Sequence, residues 1–377
     1  MTRLFVRVLL GAAIVALVAT ASAPAKRNPH SKSKAKKHDS PTMSVFASGL
    51  NNPRGLKFGP DGNLYVAEGG LGGSDSTAGV CPQEQVIPPI GPYTGSTNNP
   101  VLGGRISKVT PAGVVSTVVD ALPSAKTAPP RNFVSGVADV AFLNGQLYGL
   151  LAGAGCSHGV ATVPNGIIRV GPGGTWTMIA NLSAFIHSHP VANPNPPDFE
   201  PDGTWYSMVA DQGALYAVEP NHGEVDRVTP GGSISRLVDV SATYGHVVPT
   251  AIALHGVFYL GNLGDFDAED LVGDENVFQV NPNGKISTRA TGLEKVLGLA
   301  FDGGKLYALE TATTAGPPLP GTGAIVRVMA GGVTETVVSG LVFPTGMTIG
   351  PDGAFYVSEN GFGFPAGAGK IIRITTG

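Results

Sequence analysis

The chain has 377 residues, enough for one large domain or two ordinary ones, and carries 54 glycines and 31 prolines. Only 14% of it is charged, against roughly 25% in ordinary globular domains. An apolar share of 42% excludes a disordered low-complexity chain, and a net charge of −3 gives no general attraction to nucleic acid or an anionic membrane.

The N-terminus reads as a targeting segment. Arg3 and Arg7 form a short positive region, Val8 to Val18 is an apolar run, and Ala21-Ser22-Ala23 is a small-residue cleavage site. That order predicts a secretory signal peptide over residues 1–23, cleaved after Ala23. The competing reading, an uncleaved anchor, is disfavoured because the run falls short of the ~20 residues a spanning helix needs. Residues 24–42, with Lys26, Arg27, Lys32, Lys34, Lys36 and Lys37 among Pro and Ser, have no apolar face to bury and read as a disordered basic linker. The destination is therefore secreted or periplasmic.

From residue 43 to residue 377 one pattern recurs six times: an apolar strand, a Gly-containing turn, and a second strand built on an apolar residue followed by Tyr. The second strands are Leu64-Tyr65-Val66, Leu147-Tyr148-Gly149, Leu215-Tyr216-Ala217, Phe258-Tyr259-Leu260, Leu306-Tyr307-Ala308 and Phe355-Tyr356-Val357. The turns before them include Pro60-Asp61-Gly62 and Pro351-Asp352-Gly353, where Gly supplies a positive φ and Asp is a turn former. Third strands follow, such as Ile106-Ser107-Lys108-Val109, Val225-Asp226-Arg227-Val228 and Ile371-Ile372-Arg373-Ile374. A fourth strand closes five units, for instance Val114–Val119 and Val333–Val338, but the chain ends just past the sixth third strand. The segment Ser44–Leu50 resembles Thr336–Leu341 and can supply the missing strand. The expected fold is all-β: a single-domain six-bladed propeller over residues 43–377, closed by an N-terminal strand that completes the last blade.

In such a blade the hairpin turns lie on one face and the remaining connections on the other. The long segments 69–103, 120–135, 152–165 and 181–204 all fall on that second face, where binding and catalysis usually sit. Cys81 and Cys156 lie in two of these loops, and an even pair in an oxidising compartment permits one disulfide; two free buried thiols are the alternative.

The second strands end on the same face in Glu68, Glu219, Glu310 and Glu359, with Asn221, Asn262 and Asn360 nearby. Carboxylates and amides around an axis are hard-oxygen ligands suited to Ca²⁺ or Mg²⁺, so Glu68, Glu219, Asn221, Asn262, Glu310 and Glu359 form the candidate metal set. The competing reading is that repeated positions carry repeated residues, with these Glu paired to the Arg of neighbouring third strands. His187, His189 and His222 are the candidate acid–base groups, and solvated loop histidines are the alternative. Arg54 and Asp139, at the starts of inner strands, are candidate channel-lining residues. The run Asp265–Asp270 has the look of a calcium loop but lacks Gly at its sixth position and ends at Asn276, so it reads as a solvated acidic loop. No G-x-S-x-G, H-E-x-x-H or phosphate-binding Gly loop is present.

The opening unit Ser48–Leu56 with Pro60–Glu68, and the stretch Leu215–Val228, resemble the ScyD/ScyE family of exported NHL-type propellers over about residues 43–377. The family's Asn-Pro-Tyr-Gly-like entry to blade three is here Glu200-Pro201-Asp202-Gly203. A looser similarity runs to virginiamycin B lyase-like and gluconolactonase-like propellers. Two functions are expected from this reading. The first is a monomeric binding or scaffold protein holding a small molecule, glycan or protein at the long-loop face, without nucleic acid. The second is a divalent-metal-dependent hydrolase or lyase using the Glu/Asn ring, with Ca²⁺ as its only expected cofactor.

Overall fold

The computed structural model describes residues 40–83, 91–264 and 273–376. The expected signal peptide, residues 24–39 of the expected basic linker and the acidic run Asp265–Asp270 lie outside the described residues. Among the described residues there are seven sheets, six of them four-stranded. The all-β expectation is met, with one α-helix longer than a single turn, Leu182–Ser188.

The first strands of the six sheets are Pro53–Phe58, Val137–Leu143, Ser207–Asp211, Pro249–His255, Val296–Asp302 and Pro344–Ile349. Each pairs antiparallel with the Tyr-containing second strand, which pairs with the third and the third with the fourth. Sheets one to five take all four strands from consecutive sequence. Sheet six takes its fourth from the other end of the chain: Thr42–Leu50 pairs antiparallel with Gly369–Thr375, Met43 opposite Ile374 and Ser48 opposite Lys370. That strand starts at Thr42, one residue inside the segment expected to be linker.

The first strands contact one another in succession, and Pro53–Phe58 of sheet one also meets Pro344–Ile349 of sheet six. The apolar core is correspondingly divided. Six clusters each join two neighbouring sheets, the last uniting Leu50, Ala354, Tyr356 and Ile371 of sheet six with Leu56, Leu64 and Val66 of sheet one. This explains the repeated Tyr. Tyr65 packs on Phe142, Tyr216 on Phe258, Tyr259 on Phe301, Tyr307 on Phe355 and Tyr356 on Phe58, with ring centroids 4.5–5.0 Å apart. Each pair bridges one sheet to its neighbour, and such aromatic pairs add about 0.5–1.5 kcal/mol beyond their buried area.

The long loops build structure of their own. Thr94–Ser96, from the second-to-third connection of sheet one, pairs with Ser124–Lys126, which pairs with Val134–Ser135; both of the latter lie in the crossing to sheet two. Cys81 and Cys156 form a disulfide, Cα atoms 6.3 Å apart, joining the loops of sheets one and two.

Candidate functional site

The ring of glutamates is built by the backbone. Asn52, Lys295 and Phe343 hold positive φ immediately before the first strands of sheets one, five and six. The residue preceding each donates its N–H to the glutamate ending the second strand: Asn51 to Glu68, Glu294 to Glu310 (3.0 Å) and Val342 to Glu359 (2.7 Å). In sheet three Glu219 accepts from the Thr204 N–H (2.8 Å) and from the His222 N–H. Each carboxylate thus latches the entry turn of its own sheet. Two are further neutralised across to the third strand: Glu68 takes two hydrogen bonds of 2.8 Å from Arg105, and Glu359 lies 3.1 Å from the Lys370 ammonium. Asn262 accepts from the Asn276 N–H (2.6 Å), Asn360 donates to the Ala368 carbonyl (3.0 Å), and Asn221 is half-buried beside His222. Among the described residues no three His, Cys, Asp or Glu converge into a group that could hold a metal ion. The carboxylates expected to be ligands act as turn latches.

The three candidate histidines are not gathered either. His187 and His189 are exposed at the end of the helix Leu182–Ser188, His187 donating to the Pro201 carbonyl (2.6 Å) and His189 stacked on Phe185. His222 is buried, stacked on Phe199, and donates to the Glu200 carbonyl (3.0 Å). They brace the entry to sheet three, and none lines the channel.

A further histidine, which nothing in the sequence singles out, lies deeper. His158 is fully buried, its Nε2 3.4 Å from a Glu200 carboxylate oxygen whose partner oxygen accepts from Tyr93 (3.2 Å). Ser157 next to it donates both its N–H and its hydroxyl to Asp202 (2.7 Å each). Glu200-Pro201-Asp202-Gly203 is therefore a seam that ties loops of sheets one and two to the entry of sheet three.

Sheet three also buries Glu224 and Asp226 on its third strand. Arg236 donates to Glu224, and the Trp205 indole N–H donates to Asp226 (3.2 Å). One oxygen of each carboxylate has no hydrogen-bond partner. Burial pushes Glu224 up to about 9, helped by the neighbouring Asp226, and pushes Asp226 up to about 7; it also raises Glu219 and takes Glu310 to about 7. The signal was present in the sequence. Asp226 occupies the position held by Ile168, Phe278, Val326 and Ile372 in other third strands.

The axis itself is closed at the long-loop end. The Arg54 guanidinium donates to the Val134 carbonyl and lies over the Tyr206 ring at 5.5 Å, while the Tyr206 hydroxyl donates to the Thr345 carbonyl (2.8 Å). Asp139 lines the channel below, accepting the N–H groups of Val140 and Met208 (2.8 Å each), which stitches sheet two to sheet three. Gly55 faces it so closely that a Cβ there would sit 1.9 Å from an Asp139 carboxylate oxygen. Burial raises the Asp139 carboxyl, opposed by the Lys57 charge. The void at this level is about 20 Å³, room for roughly one water.

At the hairpin end the channel widens into a bowl of about 460 Å³. Its floor includes Ile252, Leu299 and Met347, its walls Phe58, Phe142, Leu254 and Phe301, and Lys57 is the only charged side chain lining it. Lys57 also reaches the narrow void, so its stem spans from the bowl toward Asp139. The elaborated loops and this bowl lie on opposite faces.

No protein-family model and no curated protein sequence matches the chain. Solved structures do. A putative oxidoreductase (glucose dehydrogenase) from Thermus thermophilus superposes with a TM-score of 0.56 at 18% identity, covering 89% of this chain and 100% of that one. A protein of unknown function from Bacteroides thetaiotaomicron gives 0.54 at 10% identity over 89% and 76% of the two chains. A gluconolactonase from Xanthomonas campestris gives 0.50 at 11% identity over 89% of each. At these identities the likeness is one of fold, and the fold is a β-propeller.

Proposed function

We propose that this chain is an exported propeller of six blades, closed by Thr42–Leu50 on the last blade, that works as a small-molecule binding protein. Its place among ScyD/ScyE-type propellers is part of the same proposal, carried by the repeat residues. The observation that carries the binding role is the bowl: about 460 Å³, concave and lined mostly by apolar side chains, on a channel crossed at its other end by Arg54 and Tyr206. Cavities of roughly 300–1,000 Å³ with apolar walls and few polar groups are what small ligands occupy. Export is supported by the Arg3–Ala23 pattern and by the disulfide.

The second reading is a divalent-metal-dependent lactone hydrolase, favoured by the named activity of the gluconolactonase neighbour. Against it stand the latching roles of Glu68, Glu219, Glu310 and Glu359. One experiment separates the two: elemental analysis of the mature protein, melting in EDTA and in Ca²⁺, and assay of δ-gluconolactone hydrolysis. The binding role predicts no stoichiometric metal, the same melting temperature in both buffers and no turnover. Bound metal with a Ca²⁺-dependent melt and lactone turnover would establish the hydrolase instead.

A further inference from the structure

Lys57 lines both the bowl and the narrow void beneath it, where its charge acts on the buried Asp139 carboxyl, and no other charged side chain among the described residues lines the bowl. Its side chain is half-buried and makes no hydrogen bond or ion pair with another described residue, as is also true of Lys108 and Lys126; what sets it apart is its place in the bowl lining. The nearest acid on the channel side, Asp139, has both oxygens committed to backbone N–H groups. Asp211 and Asp302 follow Ala210 and Phe301 into the hairpin turns and do not line the bowl. Thr348 is the other polar side chain of the lining. An ammonium held among low-dielectric walls attracts an anion more strongly than one in open water.

Resting on the reading of the bowl as a binding site, we infer that its ligand is a small organic carboxylate with a flat apolar body. The carboxylate accepts from the Lys57 ammonium at the bowl floor, and the apolar part lies against Phe58, Phe142 and Phe301. A charge-assisted hydrogen bond at the inner end fixes orientation, while the aromatic walls supply contact area with little ordering of the protein. The arrangement selects against cations, which Lys57 repels.

The test uses the mature protein with naphthalene-2-carboxylate and its neutral counterpart, naphthalene-2-methanol, followed by calorimetry and by the ¹³C-methyl signal of Met347 in the bowl floor. The carboxylate is expected to bind and shift Met347, and Lys57→Met to weaken it about tenfold, the cost of one charge-assisted hydrogen bond, with the alcohol's affinity changed less than about twofold. Lys57→Met keeps the stem and its packing; a second variant, Lys57→Arg, keeps the charge and is expected to retain carboxylate binding. If alcohol and carboxylate bind equally and Lys57→Met changes neither, the carboxylate assignment is wrong while the bowl remains a binding site. If neither compound shifts Met347, the bowl reading itself falls.

Discussion

Glu224 and Asp226 sit two residues apart on the third strand of sheet three, both fully buried, with Arg236 the only cation bonded to the pair among the described residues. Glu219 adds a further acid from the adjacent strand, where it stands opposite Glu224. Two neighbouring buried carboxylates cannot both be ionised cheaply against one guanidinium, so a proton is retained well above the usual carboxylate range. With Asp226 raised to about 7 and Glu224 to about 9, the folded protein binds protons that the unfolded chain has released. The stability these two groups contribute is therefore fully present below their unfolded values, near pH 4, and is lost as pH rises through about 7 and toward about 9. The melting temperature is expected to fall between about pH 5 and about pH 9, and Asp226→Asn, which still accepts from the Trp205 indole, to melt with a visibly flatter pH dependence. Parallel profiles for the two proteins would mean that Asp226 is ionised throughout. Asp226 was legible as the one acid at its position among six third strands. The pairing of Glu68 with Arg105 on a third strand was legible as the competing reading, but the latching of the entry turns was not, because those partners are backbone N–H groups, which every residue but proline carries and no sequence pattern marks.

The elements divide in the same way. The paired strands of each sheet could be read directly because alternation, a Gly turn and Tyr recur at matching offsets. The three-stranded sheet of Thr94–Ser96, Ser124–Lys126 and Val134–Ser135 could not, since Thr-Gly-Ser carries no apolar alternation and its partner comes from a different connection. The helix Leu182–Ser188 was equally hidden inside a segment read as loop, although Asn181 is a regular N-cap accepting from the Ala184 N–H (2.9 Å). These loop elements depend on one covalent tie. The Cys81–Cys156 bond closes a separation of 75 residues, and Thr77 donates its hydroxyl to the Cys156 carbonyl beside it. Removing the bond frees the 69–83 loop in the unfolded chain and in the native one, at a cost on the order of 2–4 kcal/mol. The double variant Cys81→Ser/Cys156→Ser is expected to unfold at lower guanidinium concentration by that amount and to be cut by protease within residues 69–83, with affinity at the bowl unchanged. An unchanged midpoint would show that the hydrogen bonds around Ser157 and Asp202 suffice to hold these loops.

At the scale of the whole molecule the question is whether sheets one and six are neighbours through the N-terminal strand or merely through their first strands. Thr42–Leu50 supplies sheet six with its outer strand, and Leu50 and Ala47 are buried in the cluster shared by the two sheets. Phe46 packs edge-on against Tyr356, which in turn packs on Phe58, so the segment also supports the aromatic contact that carries sheet six onto sheet one. Removing it leaves Gly369–Thr375 as a bare edge with Ile371 and Ile374 exposed, a template for association with other chains. Loss of a buried leucine alone costs about 2–5 kcal/mol. A chain beginning after Leu50 is therefore expected to melt well below the parent and to aggregate. A synthetic peptide of residues 42–50 added in excess should restore part of the melting temperature by rebuilding the edge in trans, which distinguishes strand loss from general damage. Rescue should fail with a peptide in which Leu50 is replaced by Asp, because pairing alone cannot compensate for a charge placed in the core between the two sheets. A truncated chain that melts with the parent and does not associate would show that the first strands alone hold the ring, and the closure proposed for Thr42–Leu50 would be wrong.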